Sequence, residues 1–222
     1  NRLALSLISL SGVPVAAPSA NLSGRPSPTS GLHVIEDLNG KVDYIIDGGC
    51  CEVGLESTVL DITCEPPMIL RPGGVTKQML EKTIGKVDVE KLSEFGKDSK
   101  PRSPGMKYRH YSPKGELTLV KGETGRVVKK INTLAANQKV NGFRTAVLAT
   151  EENIAHYKAD LVISLGSAHN LQSIAAKIYS ALRKCDEADM DIIYAEAFLE
   201  EELGQAIMNR LKKASAGRMI EV

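Results

Sequence analysis

The chain has 222 residues, with 28 basic and 27 acidic side chains and a formal net charge of +1. A balance this close to neutral gives no overall field that would attract nucleic acid or an anionic membrane, so an anionic partner must be met by a local site. Aromatic residues make up 4% of the chain and none is Trp, which leaves little material for the stacking platforms of single-strand binders. The length suffices for one large domain or two small ones, each with its own core.

The first predicted elements lie in an uncharged stretch, residues 3–18, that follows Arg2 and imitates a secretory signal. Several serines, Gly12 and Pro14 interrupt the stretch, and it is too short to span a bilayer. We predict an amphipathic helix over residues 2–11 and a buried strand over 13–17. We also expect the chain to start in the middle of a domain.

The next elements follow from turn residues and from β-branched runs. Thr29 or Ser30 is a suitable N-cap for the first of two further helices, and Gly85 lies just beyond the second. We predict helices over 31–38 and 76–83, and strands over 44–47, 57–63, 67–70 and 86–89.

Residues 91–113 carry many charges, three prolines and few apolar side chains, which predicts a linker. Two tyrosines, a lysine, an arginine and a histidine fall within residues 107–111. That density favours a segment that lies on an anionic ligand, although an ordinary basic linker fits equally well.

Strands and helices alternate after Pro113. We predict strands over 117–120, 145–149, 161–165 and 192–195, and helices over 125–138, 171–184 and 203–214. This alternation is typical of a parallel sheet flanked by helices. The segment has neither a Gly-x-Gly-x-x-Gly nor a Walker lysine motif, so its architecture alone does not imply a nucleotide site.

A polar run, SANLSGRPSPT at residues 19–29, is the first candidate site. In an extended Ser-x-Asn, the side chains of Ser19 and Asn21 face the same way and can reach one ligand. The prolines hold the run in extended or turn geometry. The run is suited to a polyanion, and the alternative is a hydrophilic connection between two elements.

The cysteines and histidines predict no metal site. Cys50, Cys51, Cys64 and Cys185 show no paired C-x-x-C spacing, and the four histidines are scattered. The adjacent Cys50 and Cys51 are poorly placed for an ordinary disulfide. We therefore expect reduced thiols in a cytoplasmic protein.

Five motifs in order resemble those of the two-domain threonylcarbamoyl-adenylate synthases. They are SANLSGRPSPT (19–29), GLESTV (54–59), RPG (71–73), PGMKYRHY (104–111) and GQAIMNRL (204–211). The resemblance implies an α/β chain in three parts. Residues 1–90 would be a partial YrdC-like twisted-sheet domain without its N-terminal half, 91–114 a linker that covers the active site, and 115–222 a smaller Rossmann-like open-sheet domain.

The family's activity implies synthesis of L-threonylcarbamoyladenylate and pyrophosphate from L-threonine, bicarbonate and ATP. ATP would be a substrate accompanied by Mg²⁺. The product would be passed to a threonylcarbamoyl transferase complex that acts on tRNA, and no membrane partner is implied. Neither chemical step needs a protein nucleophile, so we expect no catalytic Ser/His or Cys/His pair.

The resemblance assigns the site residue by residue. For ATP it implies Ser19, Asn21, Ser27, Arg71 and one of the linker tyrosines, Tyr108 or Tyr111. For threonine it implies Ser57 and the backbone at Ala17. We expect Asp47 and Glu56 to be structural, and Arg25, Thr58 and His110 are weaker candidates for contacts.

One family signature, a Lys-x-Arg in the first half of the catalytic domain, has no counterpart in these residues. We therefore expect the chain alone to be inactive. Two other functions stay open. One is an RNA-binding module without catalysis, which the net charge disfavours. The other is carbamoyl transfer to another acceptor, as in the hydrogenase-maturation carbamoyltransferases, which also contain YrdC-like domains but carry zinc-finger-like cysteine pairs that this sequence lacks.

Overall fold

The structure is a computed structural model and describes residues 1–90 and 112–222. Most of the predicted linker, including Tyr108, His110 and Tyr111, lies outside the described residues.

The first part of the chain contains three helices and a small sheet. Its elements are α1 (Arg2–Ser11), α2 (Gly31–Leu38), β1 (Val59–Asp61), β2 (Met68–Arg71), α3 (Lys77–Ile84) and β3 (Asp88–Val89). The sheet order is β1-β2-β3, with β1 antiparallel and β3 parallel to β2. Ser30 caps α2 by accepting from the His33 amide, as predicted, and Thr76 caps α3 in the same way.

Two predicted strands, over 13–17 and 44–47, are wrong because neither segment forms a strand. Val13, Val15, Tyr44 and Ile46 are all exposed. A strand needs a neighbour to receive its backbone hydrogen bonds, and neither segment has such a neighbour among the described residues. Helix α1 has the predicted bounds, but none of its residues is buried.

The second part forms a five-stranded parallel sheet with helices on both faces. Its elements are β4 (Glu116–Lys121), α4 (Thr124–Val140), β5 (Thr145–Thr150), a 3₁₀ turn (Ile154–His156), β6 (Leu161–Gly166), α5 (Leu171–Glu187), β7 (Ile192–Glu196), α6 (Leu203–Ala214) and β8 (Met219–Glu221). The order is β6-β5-β7-β4-β8 and every pairing is parallel. The mixed α/β class is therefore confirmed, whereas β8 and the 3₁₀ turn were not predicted.

The two faces of this sheet carry separate apolar clusters. Helices α5 and α6 contribute Ile178, Leu182 and Ile207 to one cluster, and α4 contributes Val127 and Ile131 to the other. Helices α5 and α6 lie on the same face of the sheet, and polar side chains of both contact the first part of the chain. No helix within the described ranges is long and apolar enough to cross a membrane.

Candidate active site

A cleft of about 660 Å³ lies where the first part of the chain meets α5. This volume falls within the range of roughly 300–1,000 Å³ that is usual for small-molecule sites. Its lining comes from Asn1, residues 19–20, 27–29 and 48–56, and Tyr179 of α5. The cleft therefore brings together Ser19 and Ser27 from the first motif with the GLE of the second.

Ser27 is fixed by a carboxylate. It is 8% exposed, and its hydroxyl donates to Glu56 Oε1 at 3.0 Å. Glu56 also accepts from the Tyr179 hydroxyl, at 2.7 Å and 2.8 Å to its two oxygens, and from Arg210 Nε of α6. The carboxylate thus joins the cleft to two helices of the second part.

Ser19 and Asn21 do not form the extended pair that the sequence predicted. The Asn21 amide donates to the Ser19 carbonyl at 3.0 Å, which closes a tight turn. The Asn21 carboxamide donates to the carbonyls of Leu22 (2.9 Å) and Arg25 (3.3 Å). Asn21 therefore holds the loop in shape, and it is not among the residues that line the cleft.

Arg71 and Ser57 lie together beside the cleft rather than in its lining. The Arg71 guanidinium donates to the Ser57 carbonyl through Nε (3.2 Å) and through its second nitrogen (2.9 Å). The predicted nucleotide and threonine segments are thus joined directly. Ala17 is exposed, and the Thr58 hydroxyl donates to the Val75 carbonyl at 2.6 Å.

An arginine of α5, Arg183, holds the loop just before Ser27. Arg183 is 4% exposed, and it donates twice to the Pro26 carbonyl, at 3.1 Å and 2.7 Å. It also pairs with Asp37 at 2.8 Å, and Asp37 accepts from Arg25 at 2.5 Å. Arg25 therefore forms an ion pair within the protein.

Neighbouring charges and hydrogen bonds keep the Glu56 carboxyl ionised. Burial would raise the pKa of Glu56, but the Arg210 charge and the hydrogen bonds from Arg210 and Tyr179 outweigh it and lower that pKa. Burial, together with the nearby charges of Arg210 and Arg71, lowers the pKa of Lys213 to about 8. The site therefore contains a carboxylate among several cations.

Sequence reasoning missed the contributions of Tyr179, Arg183 and Arg210. Arg210 falls within the closing motif, yet nothing in the motif shows which group it meets. One usable signal is that Tyr179 and Arg183 each follow an apolar residue on a helix whose other buried positions are largely apolar. Glu56, expected to be structural, joins Ser27 to Tyr179 and Arg210 and also lines the cleft.

Comparison with known proteins supports the resemblance. Residues 75–216 match the family described as "Threonylcarbamoyl-AMP synthase, C-terminal domain", and residues 1–73 match the one described as "Telomere recombination". The threonylcarbamoyl-AMP synthase of Bacillus subtilis is 48% identical over 98% of this chain and 62% of its own length. That of Pyrococcus abyssi is 45% identical over 100% of this chain and 64% of its own length.

A solved structure, P. abyssi Sua5 complexed with L-threonine, has a TM-score of 0.91 and 45% identity over all of this chain and 64% of that chain. The present chain thus spans less than two thirds of the length of these relatives. The family match over residues 1–73 gives no support to a halved first domain. The expectation that the chain alone is inactive is likewise unsupported, and the domain limits at 90 and 114 stay predictions.

Proposed function

The chain belongs to the threonylcarbamoyl-AMP synthase family, and we propose that the protein makes L-threonylcarbamoyladenylate and pyrophosphate from L-threonine, bicarbonate and ATP. The observation that carries this proposal is the cleft lined by Ser19, Ser27 and the Gly54–Glu56 segment. The P. abyssi relative that matches the whole chain is complexed with L-threonine, which supports threonine as a substrate.

The reaction has two steps that balance without a protein nucleophile. The threonine amine adds to bicarbonate and water leaves, which gives a carbamate. A carbamate oxygen then attacks the α-phosphorus of ATP, the bond to the bridging oxygen breaks, and pyrophosphate leaves with that electron pair. The enzyme has to align the reactants and stabilise charge that spreads over phosphate oxygens.

The residues beside the cleft suit this role. We propose that Ser19, Asn21, Ser27 and Arg71 serve the nucleotide and that Ser57 and the Ala17 backbone serve threonine. The bonds from Arg71 to the Ser57 carbonyl support the idea that the two subsites are neighbours. A guanidinium can also present a planar pair of donors to a phosphate, which an ammonium cannot.

ATP would enter with Mg²⁺, whose oxygen ligands would come mainly from the phosphates. Within residues 1–90 and 112–222, no group of three or more His, Cys, Asp or Glu side chains could hold a metal ion. No step of the proposal passes through the ion.

The product is a mixed anhydride that hydrolyses unless it is consumed. We therefore propose a cytoplasmic enzyme whose product is taken up by a threonylcarbamoyl transferase complex acting on tRNA. A linker tyrosine, Tyr108 or Tyr111, would cover the bound phosphates.

The test is pyrophosphate release by the protein as its gene encodes it, with mass-spectrometric detection of the adenylate. We expect release only when L-threonine, bicarbonate and ATP are all present. L-Valine is the matched control because it has the shape of threonine without the hydroxyl, and it should be a poor substrate. Equal turnover of ATP without threonine would refute the proposal, and tRNA binding with no adenylate would favour the RNA-binding alternative.

A further inference from the structure

One wall of the cleft belongs to the second part of the chain. Tyr179 of α5 lines the cleft although only 1% of it is exposed. Its hydroxyl bridges both oxygens of Glu56. The second part therefore contributes directly to the surface on which Ser27 lies.

The direction of each hydrogen bond around Glu56 follows from its charge. An ionised carboxylate only accepts, so the hydroxyls of Tyr179 and Ser27 must both donate to it. The Ser27 hydroxyl proton is thereby committed to Glu56, and the Ser27 oxygen can offer only its lone pairs to a ligand. A phosphate oxygen, which itself accepts, is a poor partner for such a group, whereas an O–H or N–H group is a good one.

The same helices hold the backbone next to the site motifs. Arg183 donates to the Pro26 carbonyl, one residue before Ser27. Arg210 donates to the Pro72 carbonyl at 3.1 Å, one residue after Arg71. Glu56, which Tyr179 and Arg210 hold, immediately precedes Ser57. Three site segments are thus held from the second part of the chain.

We propose that Tyr179 is a positioning residue that acts through Glu56 to fix Ser27 as a hydrogen-bond acceptor for an O–H or N–H group of the nucleoside. The second part of the chain then sets the geometry of the nucleotide subsite. The identity of the ligand as ATP rests on the proposed function, whereas the positioning itself rests on the contacts above.

The test compares Tyr179→Phe with Tyr157→Phe in the protein as its gene encodes it. Tyr157 is a matched control because it is 7% exposed and donates to Glu196, a carboxylate in the second part of the chain, at 2.7 Å. We expect Tyr179→Phe to raise the dissociation constant and KM for ATP by about tenfold, with a smaller change in kcat. Tyr157→Phe should leave ATP binding unchanged, while both variants lower Tm by similar amounts.

Two further measurements separate positioning from general loosening. Binding of inorganic triphosphate should be unaffected by Tyr179→Phe, because Ser27 is assigned to the nucleoside. In a double-mutant cycle, Tyr179→Phe should add little to Ser27→Ala, since both remove the same contact, whereas Tyr157→Phe should be independent of Ser27→Ala. Unchanged ATP affinity in Tyr179→Phe, equal loss of triphosphate binding, or full additivity with Ser27→Ala would overturn the proposal.

The outcomes also separate this proposal from the proposed function. If the wild-type protein binds ATP but makes no adenylate, the proposed function fails and the binding comparison still decides the role of Tyr179. If it binds no ATP, the proposed function and the nucleoside assignment both fail. Hydrogen exchange at residues 27–30 then decides the positioning, which requires faster exchange in Tyr179→Phe than in Tyr157→Phe.

Discussion

Asp37 shows how a single buried residue connects the two parts of the chain. Its side chain is fully buried, and it accepts from Arg183, Arg25 and the Leu22 amide. Burial would raise the pKa of Asp37, but the hydrogen bonds from Arg183 and Arg25 outweigh it and lower that pKa to about 2. The carboxylate is therefore favoured in the folded state.

A pH dependence of stability follows from this shift. Because the folded-state pKa of Asp37 lies below its ordinary value of 3.8, its contribution is fully present above that value and is lost as the pH falls toward about 2. The contribution amounts to about 2 kcal/mol. Urea unfolding between pH 2.5 and 6 should show the wild-type free energy of unfolding falling more steeply with acid than that of Asp37→Asn.

The control for this comparison is Asp43→Asn, at an exposed position. It should follow the wild-type pH profile. Parallel profiles for wild type and Asp37→Asn would show that Asp37 is not the group responsible.

Gly54 determines how closely the GLESTV segment approaches α5. Its φ is +69°, and a Cβ there would lie 2.4 Å from Ala176 Cα and 2.5 Å from the Ala175 carbonyl oxygen. Backbone atoms cannot move aside as the end of a flexible side chain can. Glycine is thus required both for the conformation and for the contact.

We expect Gly54→Ala to be more destabilising than Gly40→Ala. Gly40 has a similar φ of +74°, but nothing lies within 4 Å of a Cβ added there. The loss of stability in Gly40→Ala therefore reflects only the conformational penalty, which is roughly 1–2 kcal/mol. Gly54→Ala should exceed that penalty and should also lower pyrophosphate release, because it displaces Glu56 from Tyr179. Chemical denaturation of both variants gives the comparison, and equal losses of stability would mean that the approach to α5 is not tight.

Element prediction succeeded where the signal is local. The helices were placed to within a few residues because caps such as Ser30 and the apolar periodicity are encoded in neighbouring positions. The segments 13–17 and 44–47 have strand-like composition, but pairing depends on a partner elsewhere in the chain. Composition alone could not report that partner.

The candidate site shows the same division. Local motifs predicted which segments approach the cleft, and Ser19 and Ser27 do line it. The contacts from Glu56 to Tyr179 and to Arg210 join residues 123 and 154 positions apart. No spacing rule links residues at such distances, so the role of α5 and α6 required the structure. Ligand contacts of the motif residues stay predictions.

At the scale of the whole molecule, burial is distributed unevenly between two helices of similar length. Helix α1 has 10 residues, none of which is buried, and Leu5 and Leu10 are 64% and 86% exposed. Helix α6 has 12 residues, of which eight are buried. Since tertiary packing rather than intrinsic propensity stabilises most protein helices, these two helices should open with very different free energies.

Hydrogen exchange on the 222-residue chain measures this difference directly. After correction for intrinsic rates, amides of α1 should exchange at least about a hundredfold faster than those of α6, because local opening of an unpacked helix exposes little new apolar surface. Strands β4 and β7, in the interior of the sheet, should exchange only by global unfolding. Comparable protection in α1 and α6 would mean that α1 is packed in solution against a surface that its exposed leucines do not contact in this structure.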